Sequence, residues 1–296
     1  MDNTLINQLT INKGIIVNIR GALGNQLFEI AVAYALSKEL NLELYMSELV
    51  NFKNINNKHN RFNNNYVNTV FEYFLTNNIK YFQCKDYKIL TKNNYKIINN
   101  ININRIINNK RKTLLNDNGF IIQREITQNY RLFSKYADDI RKLTLKGLKN
   151  NIELMKTKYN TKNTAFLHIR RGDYLLMQHV FIIPGIEYYM KCVERLKEIK
   201  KIRKIFIFSN DINYVKNQPF FNNEIFEIID EPNELNSISL MSLCKSGAII
   251  TNSTFGWWGA FLGSYKSKNP VFYLKEWLKN RPNSGKRKCP NEWIPV

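Results

Sequence analysis

The sequence predicts an α/β protein of two domains, and three observations support that prediction. The chain has 296 residues, 44% of them hydrophobic, which is enough for one large or two ordinary domains with well-filled cores, and we expect two. A strand-like run, a glycine turn and a helical pattern open the chain over residues 14–40. From residue 164 onward, strand-like and helical patterns alternate regularly, which is typical of a doubly wound parallel sheet.

The first element is a strand over residues 14–19, followed by a glycine turn and a helix over residues 26–40. Apolar residues recur in that helix at helical spacing, and Asn25 is suited to cap its start. A loop that ends at a helix N-terminus exposes amide groups to an anion or a hydroxyl-rich ligand, so Gly24, Asn25 and Gln26 are candidate binding residues. The turn has two glycines but lacks the third glycine of a dinucleotide-binding motif, and a turn that serves only packing explains the two glycines equally well.

The sequence of the middle of the chain gives no secondary-structure prediction. Residues 51–109 are rich in asparagine and show no clear periodicity, but their aromatic side chains favour packing over disorder, and one interpretation is a variable recognition region. A proline-free helical pattern then runs over residues 132–155 and ends in a polar segment. We therefore expect the domain boundary at residue 160, with domains 1–160 and 161–296.

Regular alternation defines the second domain. The predicted strands are 164–169, 204–208, 225–229, 247–251 and 270–273, and the predicted helices are 186–199, a short helix from Ile212, 235–245 and 255–265. In parallel sheets of this kind, ligands bind beyond the carboxyl ends of the strands. Polar residues follow three of these strands, so we expect them to meet at one edge of the sheet.

Two adjacent arginines follow the first strand of this domain. Arg170 and Arg171 each offer a planar fork of donors that matches phosphate oxygens, which predicts a diphosphate site. Because neighbouring strand residues point to opposite faces, Arg170 should share a face with His168, and Arg171 should have a different role. Gly172 allows a turn that brings Asp173 to the same pocket. A solvated basic turn is the alternative interpretation.

The ends of two further strands carry small polar residues. They are Ser209, Asn210 and Asp211 after the second strand of the domain, with Ser209 and Asp211 as the binding candidates, and Asn252, Ser253 and Thr254 before its last helix. Hydroxyls and helix N-terminal amides can bind phosphate oxygens without adding positive charge. Ordinary helix capping is the alternative, and convergence of the three strand ends favours a binding site.

Composition and charge narrow the function classes. The formal net charge of +20 favours an anionic partner, but the basic residues fall into separate groups, so we expect no nucleic-acid partner and leave peripheral membrane association open. Four widely spaced cysteines predict reduced, structural thiols, and three histidines are too few for an ordinary zinc site. The sequence shows no signal sequence and no membrane-spanning run, which predicts a soluble, cytoplasmic protein.

Three segments together resemble the α-1,2-fucosyltransferase family, glycosyltransferase family 11. The segment Gly21–Phe28 resembles its N-terminal loop, His168–Tyr174 its donor-binding motif and Thr251–Leu262 its C-terminal motif, in the same order and spacing. Residues 50–130 carry no such similarity. The resemblance implies a GT-B-like fold, in which two Rossmann-like domains with doubly wound parallel sheets face a cleft, the first on the acceptor side and the second binding the nucleotide sugar.

The resemblance also implies an activity. It is the transfer of L-fucose from GDP-fucose to a galactose hydroxyl of a glycan acceptor, in α-1,2 linkage, with inversion and with no metal or other cofactor. Arg170 then corresponds to the arginine that binds the diphosphate, and Asp173 completes the catalytic site. The other donor-contact candidates are His168, for which packing is equally consistent, and Arg171, Ser209, Asp211, Asn252, Ser253 and Thr254.

The sequence departs from the family pattern in two places. Paired aspartates are usual where Asn210 and Asp211 stand, and an amide is common where Glu29 stands. These motifs identify no unambiguous carboxylate as the general base. Two alternatives stay open, namely a transferase that uses another nucleotide-activated deoxyhexose such as rhamnose, and a non-catalytic polyanion or nucleic-acid binder.

Overall fold

The computed structural model describes residues 14–19, 21–49, 66, 69–74, 81–84, 95–98, 119–122, 128–264 and 269–296. The chain divides into two compact units. The first unit is Met1–Gln128 with Leu132–Gly147, and the second is Asn129–Arg131 with Leu148–Val296. Within these described ranges, no helix is both long and apolar enough to cross a bilayer.

The first unit contains a parallel sheet with a long helix. Its elements are β1 (Gly14–Asn18), α1 (Leu23–Leu40), β2 (Glu43–Leu49), β3 (Tyr81–Cys84), β4 (Tyr95–Ile98), β5 (Gly119–Ile122) and α2 (Ala137–Gly147). The described strands lie in the order β3-β2-β1-β5-β4, and each adjacent pair is parallel. Because β1 is central, its residues Ile15 to Val17 are fully buried, which explains the unbroken apolar run. Three of these strands lie in or near the asparagine-rich region where no element was predicted.

Helix α1 begins three residues earlier than the sequence predicted. Gly21 adopts a left-handed conformation with φ of 77°, and the chain enters the helix directly after Ala22, whose carbonyl accepts from the backbone N–H groups of Asn25 and Gln26. The predicted N-cap role of Asn25 is therefore wrong, since Ala22 holds the capping position. Gly24, Asn25 and Gln26 belong to the first turn of the helix and not to the preceding loop.

The second unit is a doubly wound parallel α/β unit, as predicted. Its elements are α3 (Lys149–Lys158), β6 (Thr164–Ile169), α4 (Ile186–Ile199), β7 (Lys204–Ser209), α5 (Ile212–Lys216), β8 (Phe226–Ile228), α6 (Glu234–Leu243), β9 (Ala248–Ile250), α7 (Thr254–Ser264), β10 (Val271–Tyr273) and β11 (Ile294–Pro295). The strands lie in the order β8-β7-β6-β9-β10-β11. This is the strand order of a Rossmann sheet, which starts in the middle and extends first to one side and then to the other.

The helix predicted over residues 132–155 is two helices. Helix α2 ends at Gly147 and α3 starts at Lys149, with Leu148 between them. A Cβ atom at Gly147 would lie 2.3 Å from the Thr69 carbonyl oxygen, so the end of α2 passes close to another part of the backbone. Because the polar and apolar spacing continues across the break, the sequence pattern did not show it.

The division between the units falls before α3, which places the boundary at Leu148 and not at residue 160. Helix α3 packs on α6, and Asn151 donates a hydrogen bond to Asn236 at 2.8 Å. The helix therefore belongs to the second unit. The acceptor-side and donor-side assignments of the two domains stay predictions.

Candidate active site

The candidate site lies at the carboxyl edge of the second sheet. Strand β6 lies between β7 and β9, and His168 at its end is paired with Phe208 on one side and Ile250 on the other. The strand order reverses between β6 and β9, and ligands of doubly wound sheets bind at such a reversal. Nine of the predicted site residues meet at this edge, namely His168, Arg170, Arg171, Asp173, Ser209, Asp211, Asn252, Ser253 and Thr254.

Arg170 is the first residue after β6. Its Nη2 donates to Asp173 Oδ2 at 2.8 Å, and its guanidinium carbon lies 5.4 Å from the centre of the Tyr174 ring. Tyr174 stacks on Phe181 at 4.1 Å and donates its hydroxyl to the Asn252 carbonyl at 3.2 Å. About a third of the Arg170 side chain (33%) is exposed, so this oriented cation still reaches solvent.

Arg171 has different surroundings. Its Nε donates to Asp211 Oδ2 at 3.4 Å, and its guanidinium lies 3.8 Å from the centre of the Tyr214 ring. Burial raises the pKa of Tyr189 and of Tyr214, and the nearby charge of Arg171 opposes both shifts. The two arginines therefore have different environments, as strand alternation predicted. In the structure Arg171 contacts Asp211 and Tyr214, and a contact between Arg171 and the nucleotide sugar stays a prediction.

The residue that follows β7 is hydrogen-bonded to the turn that follows β6. Asn210 Oδ1 accepts from the Arg171 backbone N–H at 2.9 Å, and Asn210 Nδ2 donates to Asp173 Oδ1 at 3.2 Å. Ser209 Oγ accepts from the Asp211 N–H at 2.9 Å, and Asp211 Oδ1 accepts from the Tyr214 N–H at 3.0 Å, which caps α5. Ser209 and Asp211 thus have local structural roles at the predicted position.

The end of β9 is buried. Asn252 Nδ2 donates to the Ile182 carbonyl at 2.6 Å and to the Trp277 carbonyl at 3.1 Å. Both amide hydrogens of Asn252 are therefore used in hydrogen bonds within the protein. Its Oδ1 has no hydrogen-bond partner among the described residues and is the atom of this side chain that could accept from a ligand. Ser253 is also buried, and Thr254 begins α7. Phosphate contacts from these two residues stay predictions.

His168 is a neutral, packed side chain. Burial, with a smaller contribution from the Arg170 charge, lowers its pKa from 6.5 to about 3. A Cβ atom at Gly256 would lie 2.7 Å from its ring, so that glycine allows α7 to approach β6 closely. The structure favours the packing interpretation of His168, and a base with so low a pKa would accept a proton poorly near neutral pH.

The three candidate residues of the first unit lie in the first turn of α1. Gln26 is fully buried and donates from Nε2 to the Gly21 carbonyl at 2.6 Å, while Asn25 Oδ1 accepts from Gln128 Nε2 at 2.9 Å. Gly24 is buried within the helix. These contacts fix the glycine turn, and a ligand role for the three residues stays a prediction.

Sequence reasoning assigned no binding or catalytic role to three residues of the site. Tyr174 carries the contact from the arginine turn to β9, Tyr214 packs under Arg171, and Asn210 bonds to two residues of the arginine turn. The sequence contained an indication for two of them, because Tyr174 is the last residue of the donor-binding motif and Asn210 stands where the family usually has an aspartate. Among the described residues, no group of three or more histidine, cysteine, aspartate or glutamate side chains could hold a metal ion.

Two units with parallel sheets, the second with adjacent arginines at its strand reversal, are the architecture of a GT-B glycosyltransferase. The chain belongs to glycosyl transferase family 11, whose model matches residues 14–273. That match includes all three motifs on which the family resemblance was based. The resemblance inferred from the sequence is confirmed.

Two curated relatives align over almost the whole chain. The O-antigen biosynthesis glycosyltransferase WbnK of Escherichia coli is 27% identical over 304 positions, which cover 93% of this chain and 98% of that protein. An α-1,2-colitosyltransferase of Escherichia coli is 26% identical, with 95% and 98% covered. Among solved structures, POFUT1 in complex with GDP is 12% identical and superposes with a TM-score of 0.54, and the alignment covers 88% of this chain and 98% of that one. The complex of POFUT1 with GDP-fucose has a TM-score of 0.53. This likeness shows the shared fold.

Proposed function

We propose that this glycosyltransferase moves L-fucose from GDP-fucose to a galactose hydroxyl of a glycan, with inversion, in α-1,2 linkage and without a metal. The observation that carries the proposal is the position of Arg170, a partly exposed cation oriented by Asp173 at the strand reversal of the second sheet. Two comparisons support it. One relative is named for an α-1,2 linkage, and POFUT1, whose fold is similar, has been solved in complex with GDP-fucose.

The proposed role of Arg170 is electrostatic. Negative charge grows on the diphosphate as the bond to the sugar breaks, and a guanidinium already in place stabilises that charge at little reorganisation cost. Nη2 contacts Asp173. In this proposal the other donors of the guanidinium bind two phosphate oxygens. Such a contact typically contributes several kcal/mol to the stabilisation of a transition state.

Asp173 acts on the donor through Arg170 in this proposal. Its Oδ2 accepts from Arg170 and its Oδ1 accepts from Asn210, so both carboxylate oxygens have partners within the protein. That geometry makes Asp173 a poor candidate for the base that takes the acceptor proton. A loose, cation-like transition state demands little from a base, which fits a site of this kind.

The donor sugar has one specific alternative. The colitosyltransferase relative uses a different deoxyhexose by name, and diphosphate contacts do not discriminate between sugars attached to the same nucleotide. The same site therefore suits nucleotide-activated colitose, or rhamnose, as the donor. The sugar is decided by groups that touch it, and not by Arg170.

A donor panel tests the proposal. The purified chain is incubated with a galactoside and with GDP-fucose, nucleotide-activated colitose or nucleotide-activated rhamnose in turn, each with and without excess EDTA, and the products are analysed by NMR for linkage and anomeric configuration. We expect the fastest transfer from GDP-fucose, an α-1,2 product and no effect of EDTA. Faster transfer from another donor would replace fucose in the proposal, and transfer abolished by EDTA would overturn metal independence.

A further inference from the structure

Asn210 joins the ends of β6 and β7 through both polar atoms of its side-chain amide. The oxygen accepts from the Arg171 backbone N–H at 2.9 Å, and the nitrogen donates to Asp173 Oδ1 at 3.2 Å. The other carboxylate oxygen of Asp173 accepts from Arg170 Nη2 at 2.8 Å. A continuous chain of hydrogen bonds therefore runs from Asn210 through Asp173 to the guanidinium of Arg170.

The backbone of the arginine turn lies directly over this amide. A Cβ atom at Gly172 would lie 2.5 Å from Asn210 Nδ2 and 3.1 Å from its Cγ. A side chain at position 172 would therefore separate the two strand ends. The glycine and the asparagine form one closely packed unit, and the turn cannot shift without breaking the bonds to Asn210.

We propose that Asn210 is a positioning residue for the transfer reaction, because it holds Asp173 in the orientation that directs Arg170 at the donor diphosphate. This inference rests on the proposed function, since it takes Arg170 as the diphosphate ligand. An amide is suited to the task because it accepts from a backbone N–H and donates to a carboxylate at the same time. An aspartate here keeps the first bond, loses the second and faces Asp173 with a like charge.

The substitution Asn210→Asp therefore separates positioning from simple packing, since the two side chains are nearly the same size. GDP binding to the full chain is measured by calorimetry at about pH 8 and about pH 5, beside the substitutions Asn210→Ala and Asn213→Asp. Asn213 is exposed on α5 and makes none of the hydrogen bonds described above, so its substitution is a control with the same change of charge. Thermal unfolding of each variant reports its folding.

At about pH 8 we expect Asn210→Asp to bind GDP roughly tenfold more weakly than the unsubstituted chain, the scale of one lost hydrogen bond to a charged group. At the lower pH its affinity should return toward the unsubstituted value, because one of the two facing carboxyls takes up a proton and its O–H donates to the other. The charged groups around this pair are Arg170, Arg171 and Asp211. We expect Asn210→Ala to be weakened at both pH values and Asn213→Asp at neither.

Equal GDP affinity in the unsubstituted chain and in Asn210→Asp at both pH values overturns the positioning role. A loss in Asn210→Asp that is the same at both pH values also overturns it, since the role requires a hydrogen bond between residue 210 and Asp173, which protonation of either carboxyl restores. Failure of the unsubstituted chain to bind GDP is a different result, because it overturns the proposed function on which the inference rests.

Discussion

Replacing Arg170 with lysine tests the diphosphate contact directly. A lysine keeps the positive charge but has a single ammonium, which must serve both Asp173 and the phosphate oxygens instead of a planar fork of donors. We expect the loss of one charge-assisted hydrogen bond in the transition state, about 1.5–3 kcal/mol. At about 1.4 kcal/mol for each factor of ten, kcat/KM with GDP-fucose should fall roughly 10- to 100-fold.

The same substitution should leave the fold intact. Lysine keeps the positive charge beside Asp173, and the two side chains of the pair are partly exposed, 33% for Arg170 and 26% for Asp173, so the change should cost no more than about 1 kcal/mol of stability. The thermal midpoint of Arg170→Lys should therefore lie within a few degrees of that of the unsubstituted chain. Initial rates at several GDP-fucose concentrations and a thermal unfolding curve measure the two effects separately.

Arg171→Lys is the matched control because it makes the same chemical change at the next residue. Its guanidinium packs 3.8 Å from the centre of the Tyr214 ring, so the lost stacking should cost about 1 kcal/mol of stability, with a smaller change in kcat/KM than Arg170→Lys. Near-normal turnover in Arg170→Lys would refute the proposed contact. An equal loss of kcat/KM in Arg171→Lys at unchanged stability would show that both arginines bind the donor.

Three further predictions concern the supporting structure. Because the pKa of His168 is lowered in the folded protein, the unfolded chain binds an extra proton between about pH 6.5 and about pH 3. The free energy of unfolding should therefore fall by up to about 1.4 kcal/mol per pH unit as the pH drops through that window. Urea titrations of His168→Gln should show a shallower fall, and a slope equal to that of the unsubstituted chain would contradict the lowered pKa of His168. Gly256→Ala places a methyl group 2.7 Å from the His168 ring and should cost about 1–3 kcal/mol in urea denaturation, more than Gly263→Ala, whose nearest contact is 3.2 Å. Asn252→Asp should lower the thermal midpoint more than Asn252→Ala, because both variants lose the two amide donors but only the aspartate leaves a buried carboxylate facing two carbonyl oxygens; the reverse order would contradict that repulsion.

The sheet of the second unit was predictable because its inner strands are buried on both faces. Strand β6 is buried at all six positions and β9 at all three, so both appear in the sequence as continuous apolar runs between polar segments. The described strands β3, β4 and β5 of the first unit were not predicted. Each is only four residues long, and asparagine-rich sequence around the first two hides their boundaries.

The location of the site was also predictable, but most of its pairings were not. Strand alternation was enough to separate the roles of Arg170 and Arg171. The Asp211 partner of Arg171 lies 40 positions away, and Asn252 donates to carbonyls 70 and 25 positions away. Such contacts depend on how the strands are ordered in the sheet, which a local pattern cannot give.

The arrangement of the strand ends bears on donor specificity. Arg170, the proposed diphosphate ligand, contacts a group that every donor with the same nucleotide carries, so its contribution cancels when two such donors are compared. Colitose differs from fucose by the absence of one hydroxyl, and a site that hydrogen-bonds a hydroxyl rejects the sugar that lacks it far more strongly than an apolar pocket rejects an extra one. The ratio of rates for these two donors should therefore be the same in the unsubstituted chain and in Arg170→Lys, although both rates fall. Donor choice has to be sought in side chains that touch the sugar ring.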